Sequence, residues 1–126
     1  FSRDMATAMA ARLEREAATD AARVERAFQL AYGRKPAAKE RELALDHLRR
    51  QVRYHEMTPP AAKARKKPIM HTITSELTGE TSVFAQPEDP VEYEETLQPR
   101  DVTPHTRALA DLALVLLNSN EFLYVY

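Results

Sequence analysis

The opening of the chain has one apolar residue in every helical turn. These residues recur at every fourth position, with Ala6 and Ala10 beside them: Met5, Met9, Leu13 and Ala17. Side chains four positions apart lie on the same face of a helix, so the pattern predicts an amphipathic helix over about residues 2–18. The opposite face carries charged residues, which favours a helix that packs on one side and meets water on the other.

Two more helices are predicted next along the chain. Thr19 is a capping type of residue, and Gly33 readily takes the left-handed conformation that ends helices, so together they bound a helix over about residues 21–32. The short GRKP connection ends in Pro36, which favours the start of a third helix over about residues 37–57. A short connection between two amphipathic helices predicts an antiparallel helical hairpin.

Residues 58–103 break the helical pattern. Most of the prolines lie here, and a basic block precedes an acidic one, so we expect one long irregular excursion. Inside it, MHTITSE and TSVFA flank LTGE, where Gly79 supplies a permissive turn position, and this pattern is typical of a short β-hairpin. Long connections often carry a function, which makes the excursion a candidate site for a protein partner, with Phe84 and Tyr93 as aromatic anchors.

A last helix is predicted over about residues 104–118. Thr103 and Pro104 are a capping residue and a first-turn proline, and the leucines and alanines that follow cover more than one face. Such a helix should be central. The economical fold is therefore all-α: a small array of about four helices in a single domain of residues 1–126, with one long Pro-rich excursion.

The composition excludes several classes of protein. A chain of 126 residues suits one domain with its own core, and 18 basic against 19 acidic residues create no net field that would draw in nucleic acid or an anionic membrane. No apolar run approaches the roughly 18 residues of a membrane span. The lack of cysteine excludes disulfides, thiolate metal sites and cysteine nucleophiles. Because the chain starts at Phe1, inside a helical pattern, we expect it to be a fragment of a longer protein.

Histidines and arginines give little support for a metal site or a nucleic-acid site. His47 and His55 lie about 12 Å apart along a helix, too far to share an ion bound about 2.1 Å from each nitrogen. The arginines of the helical hairpin are interleaved with acidic residues at helical spacing, which is typical of a solvated face. We therefore expect no metal, no cofactor in this fragment, no nucleic-acid partner and no membrane span.

The last helix runs into a polar step. ALADLALVLL is followed by Asn118, Ser119, Asn120 and Glu121, and then by an aromatic tail. Asn tolerates the left-handed conformation, and Asn and Ser side chains bond to nearby backbone groups, so a helix stop, with the tail folding back onto the helices, explains the step. The alternative that the residues leave open is a polar site formed by these four side chains and Asp111.

Two motifs carry a resemblance to a known family. The first is RVERAFQLAYGRKP, with matching positions at Ala27, Phe28, Leu30, Ala31, Gly33, Arg34 and Pro36. The second closes the chain, at Asp111, Leu117, Asn118, Ser119, Asn120, Glu121, Phe122, Leu123 and Tyr124. In these motifs and the opening helix, the chain resembles the C-terminal domain of unknown function of large Planctomycetes proteins that are often fused to a planctomycete-type cytochrome c domain. The resemblance does not extend over the Pro-rich excursion.

This resemblance implies a setting without a reaction. It implies an exported protein in the periplasm or outside the cell, a haem-carrying domain of the same longer chain as a partner, and a link to polysaccharide breakdown. We therefore predict a non-catalytic accessory or interaction domain at the C-terminus of a larger exported protein. The alternative is part of an enzyme site for carbohydrate, with Glu121 and Asp111 supplying carboxylates of the kind that cleave glycosides, about 5 to 9.5 Å apart.

Overall fold

The computed structural model describes residues 2–62, 69–86 and 96–124. In these ranges the elements, in chain order, are α1 Ser2–Glu16, α2 Asp20–Tyr32, α3 Ala38–Met57, β1 Met70–Thr74, β2 Thr81–Ala85, a 3-10 turn Pro99–Asp101, α4 Pro104–Leu117 and α5 Asn120–Leu123. The predicted helical class is confirmed. Across the described ranges the structure has five α-helices, so it adds α5 to the roughly four that the sequence predicts.

The chain divides into two compact units. The helical unit comprises residues 1–61 and 96–126 and holds all five of these helices. The hairpin unit comprises residues 62–95 and holds β1 and β2. Part of the predicted irregular excursion is therefore an ordered antiparallel hairpin.

Helix α4 lies at the centre of the helical unit. It contacts α1, α2, α3 and α5. Its buried residues form a wide face: Thr106, Ala108, Leu109, Leu112, Ala113 and Leu116. Leu109 packs with Leu48 of α3 in one cluster, and Leu112 packs with Phe28 of α2 in another. Because α1, α2 and α3 all bury residues in clusters with those of α4, this helix forms the core that the leucine-rich pattern predicts.

Helix α1 packs on α4 through small residues. Its buried residues are Ala6, Thr7, Ala10 and Leu13, whereas Met5 is 51% exposed. The predicted stripe is therefore buried at Ala6, Ala10 and Leu13, and the prediction is wrong at Met5. Small side chains allow two helix backbones to approach closely, and Ala10 lies in a cluster with Ala108 and Leu109 of α4. The buried face of α1 thus follows its alanines.

Capping residues set the ends of the second and third helices. The Thr19 hydroxyl accepts the N–H of Ala22 at 3.2 Å at the start of α2, and Gly33 ends that helix with φ +70°. Both features are as the sequence predicts. At the start of α3 the N-cap residue is Ala37, and the carboxylate of Glu40 accepts the backbone N–H of Ala37 at 2.7 Å.

The hairpin predicted inside the excursion is present. Strands β1 and β2 pair antiparallel, from Met70 opposite Ala85 to Thr74 opposite Thr81. Gly79 takes φ +70° in the turn, which is the conformation that favours glycine. Both strands are exposed along their whole length. The described part of the hairpin unit therefore holds no buried strand residue, and a two-stranded hairpin without such a core is only marginally stable on its own.

Candidate functional site

The two sequence motifs that carry the family resemblance meet in space. Arg34 follows α2 and lies between Glu40 in α3 and Glu121 in α5. Its Nε and Nη2 donate to the two oxygens of Glu121 at 2.6 and 2.8 Å, and its Nη1 and Nη2 donate to those of Glu40 at 2.8 and 2.9 Å. A guanidinium that binds two carboxylates bidentately fixes direction as well as distance. We name this set, Arg34, Glu40 and Glu121, the arginine junction.

Charges in the arginine junction shift one another's pKa values. Hydrogen bonds from Arg34 and from the Ala37 N–H lower the pKa of Glu40 to about 2. A hydrogen bond from Arg34 also lowers the pKa of Glu121, and the two glutamates raise the pKa of Arg34. All three side chains are therefore ionised at neutral pH. Because each is more than a third exposed, solvent screens these pairs, and they orient the segments more than they stabilise them.

A second set of contacts joins the same segments. The hydroxyls of Tyr32 and Ser119 lie 2.6 Å apart, and the Ser119 hydroxyl donates to the carbonyl of Leu116 at 2.7 Å. The guanidinium carbon of Arg34 lies 5.5 Å from the centroid of the Tyr32 ring and 5.7 Å from that of Phe28, within cation–π range. These contacts hold the start of α5 against α2.

The polar step, Asn118 to Glu121, ends one helix and starts another. Asn118 has φ −97°, outside the left-handed region, and its side-chain amide donates to the backbone carbonyl of Leu114 at 2.8 Å, a contact of the kind that the sequence predicts. Ser119 is the N-cap of α5, and Asn120 is the first residue of α5. Only Glu121 reaches the arginine junction. The aromatic tail does not fold back as expected, since Phe122 and Tyr124 are both exposed.

Asp111 has a partner of its own. Its Oδ2 lies 2.5 Å from Nε2 of His55, which connects α4 to α3. The two carboxylates of the carbohydrate-enzyme hypothesis are therefore each committed to a different basic side chain, Glu121 to Arg34 and Asp111 to His55. The hypothesis of a shared carboxylate site stays a prediction, and these contacts do not favour it.

A polar cluster where α1, α2 and α4 meet was not predicted. His105 Nδ1 lies 2.9 Å from Oε1 of Glu14, and His105 Nε2 lies 2.8 Å from Oδ1 of Asp20. Carboxylates only accept hydrogen bonds, so both contacts are hydrogen bonds only when both ring nitrogens carry protons. The buried Thr106 hydroxyl also donates to Glu14. We name His105, Glu14 and Asp20 the histidine node.

The pKa of Asp20 in the histidine node is shifted by its neighbours. Partial burial of this carboxylate raises its pKa, but hydrogen bonds from His105 and Arg23 outweigh burial and lower the pKa below the ordinary value. Arg23 donates to the same oxygen of Asp20 at 3.0 Å and to the carbonyl of Ala17 at 3.1 Å. No local spacing rule connects residues 14, 20 and 105, so only the packing of the helices could reveal the cluster.

Other predictions concern metals, membranes and partner anchors. Within residues 2–62, 69–86 and 96–124, no group of three or more histidines and carboxylates is placed to hold a metal ion. Over the same residues, no helix has both the length and the apolar character that crossing a bilayer requires. Phe84 is exposed on β2 and stacks on His71, with ring centroids 5.7 Å apart. The other predicted anchor, Tyr93, lies outside the described residues.

The fold and these contacts define a small helical domain that carries a β-hairpin. Comparison with protein-family models, with curated proteins and with solved structures finds no match. The resemblance to the Planctomycetes domain therefore remains a prediction that rests on the two motifs.

Proposed function

We propose that the chain is a non-catalytic interaction domain, in which the helical unit is the scaffold and the hairpin binds a protein partner by strand addition. One observation carries this proposal: both strands are exposed along their whole length, although they contain Met70, Ile73, Val83 and Phe84. Two of them lie on each face of the hairpin, Met70 with Val83 and Ile73 with Phe84. Exposed apolar side chains grouped in this way are a common feature of binding surfaces. These residues are not buried in a core within the described part of the hairpin unit, so a partner can contact them.

The hairpin backbone supplies hydrogen-bonding groups for the same purpose. The N–H of Ser75 donates to the carbonyl of Glu80 at 2.8 Å, which sets the alternation of the ladder. Bonded and non-bonded pairs alternate in an antiparallel ladder, so the facing residues Thr72 and Val83 direct their backbone groups away from the hairpin. Among the described residues each strand has a neighbour on one side only. Such an edge can accept a further strand from another protein.

The helical unit supports the role of a scaffold. In the arginine junction, Arg34 binds both Glu40 and Glu121 and so joins α2, α3 and α5. By resemblance, the setting is the C-terminus of a large exported protein with a haem-carrying domain and a link to polysaccharide breakdown. The partner that we propose is accordingly another domain of that longer chain.

Photo-crosslinking in the longer protein, combined with proline substitutions, tests the proposal. A photo-reactive side chain at Phe84 should form adducts with another domain, whereas the same group at Arg15, exposed on α1, should form none. Thr72→Pro and Val83→Pro each remove an outward N–H from one edge of the hairpin without removing a bond inside it. We expect at least one of them to abolish the adducts. Equal adducts from both positions, or adducts that survive both substitutions, would contradict strand addition.

A further inference from the structure

One face of α3 forms a groove, and the contacts described so far give it no role. The groove has a volume of about 490 Å³, and the described residues that line it are Asp46, Arg49, Arg50, Arg53, Tyr54 and Met57. They follow one another three or four positions apart or side by side, so they share one face of the helix. The volume is in the range of about 300 to 1,000 Å³ that is typical of ligand sites. We name these six residues the arginine groove.

Two guanidinium groups in the arginine groove have no carboxylate partner among the described residues. Arg49 donates only to the carbonyl of Leu45 on its own helix, at 3.4 Å, and Arg53 has no ion pair there. Arg50 differs, because it pairs with Asp46 at 3.0 Å. A guanidinium group presents a planar fork of donors that matches a carboxylate, so Arg49 and Arg53 are free to bind one.

The C-terminal end of the arginine groove is apolar. Tyr54 is 56% exposed and Met57 is 80% exposed. Met adapts its shape to different neighbours, and Tyr adds a rigid ring, so both are typical of protein-binding surfaces. A ligand that contacts both the arginines and the apolar end of the groove therefore needs carboxylates beside an apolar side chain.

We propose that the arginine groove binds an acidic peptide segment of a protein partner. Carboxylates of the peptide bind Arg49 and Arg53, and an apolar side chain of the peptide packs on Tyr54 and Met57. Nucleic acid fits this surface less well, because a sugar-phosphate backbone offers nothing apolar to Tyr54 and Met57. This site belongs to the helical unit and does not depend on strand addition by the hairpin.

Fluorescence anisotropy of labelled peptides with the purified chain tests this proposal. The main probe is a short peptide with glutamates on both sides of one phenylalanine, and a matched probe has serine in place of the phenylalanine. We expect the phenylalanine peptide to bind about tenfold more tightly, because its aromatic side chain is removed from water when it packs on Tyr54 and Met57. A labelled single-stranded oligonucleotide should bind more weakly than either peptide. An oligonucleotide that binds more tightly, or two peptides of equal affinity, would overturn the proposal.

Charge-reversal variants locate the site. Arg53→Glu should weaken binding of the phenylalanine peptide by about tenfold or more, since it replaces an attractive contact with a repulsive one. Arg15→Glu makes the same change of charge on α1, outside the groove, and should leave the affinity within about twofold. Met57→Ser keeps every charge. It should weaken binding of the phenylalanine peptide and leave binding of the serine peptide unchanged. Equal losses in Arg15→Glu and Arg53→Glu would show that the binding is unspecific electrostatic attraction and would reject the groove.

Discussion

The helical unit and the hairpin unit use apolar residues in opposite ways. The helical unit has a core, in which Leu13, Leu48 and Leu109 are fully buried. In the hairpin unit Ile73 and Val83 remain exposed, although the ladder and the turn around them are regular. A correct local pattern is therefore enough to form a strand pair, while a core needs surfaces that close on one another. The contrast makes the hairpin the stronger candidate for binding and the helices the stronger candidate for support.

Polar contacts follow the same division. In the helical unit, the arginine junction and the histidine node each join ends of helices through charged hydrogen bonds, and each is built from residues far apart in the chain. In the hairpin unit, the described polar contacts are local, such as that between His71 and Gln86 at 2.8 Å. Long-range contacts resist separation of the helices, whereas local ones hold only the hairpin itself. The two units should therefore respond differently to equivalent substitutions.

The largest expected effect comes from truncating the core. Leu109→Ala should lower the free energy of unfolding of the helical unit by about 3 kcal/mol, because it removes buried methyl groups and leaves a cavity. Ile73→Ala, an equivalent truncation in the exposed hairpin, should change it by less than about 0.5 kcal/mol. Urea unfolding followed by far-UV circular dichroism measures both. A similar loss for Ile73→Ala would mean that the hairpin is packed against a core, and the contrast would fail.

A smaller effect is expected from the two glycines, which form a matched pair. Gly33 and Gly79 both have φ +70°, and a Cβ added at either would have no heavy atom within 4 Å. Alanine there should cost about 1 to 2 kcal/mol from backbone conformation alone. For Gly33→Ala this loss should appear in global urea unfolding. For Gly79→Ala it should appear only as faster amide exchange in β1 and β2.

The expected contrast fails if both substitutions lower the free energy of global unfolding by the same amount. A drop in global stability with Gly79→Ala would show that the hairpin unfolds together with the helices. The scaffold and the binding element would then be one cooperative unit.

The smallest effect is confined to acid pH. Glu40 has an ordinary pKa of 4.5 and a pKa of about 2 in the fold, so its ionised form stabilises the helical unit above about pH 4.5 and this stabilisation is lost as the pH falls toward 2. Glu40→Gln should remove part of that acid-dependent loss in thermal unfolding. Glu42→Gln is the control, since Glu42 pairs with Lys39 at 3.5 Å, outside the arginine junction. An unchanged acid limb in Glu40→Gln would exclude the junction as a source of stability.

Local signals in the sequence were enough to predict several parts of the fold. Thr19, Gly33 and Gly79 act through their own backbone and nearest neighbours, so the ends of α2 and the turn of the hairpin follow from residue type. The leucine-rich pattern after Pro104 predicts a central helix for a similar reason, because a helix with a wide apolar face must be covered. Met5 shows the limit: its spacing fits the stripe, but the alanines beside it pack more closely on α4.

The candidate sites were beyond local signals. Residues 118–121 were predicted as a helix stop or a polar site, and the structure uses them as a stop while Glu121 binds Arg34, 87 positions away. The histidine node brings residue 105 to residues 14 and 20, and no spacing rule connects them.

The sequence by itself determined the approximate ends of α1 to α4 and the turn of the hairpin, because caps, glycines and apolar periodicity act within a few residues. Only the tertiary structure decided which charged side chains meet and which apolar ones stay exposed. Pairing of Arg34 with Glu121, and of Asp111 with His55, depends on how α4 and α5 pack against α2 and α3. Exposure of the apolar side chains of the hairpin, such as Ile73 and Val83, is likewise a property of the folded structure and not of residue type. Charge pairing and exposure both depend on residues that are far apart in the sequence. Residue order alone does not specify how close such residues come in space.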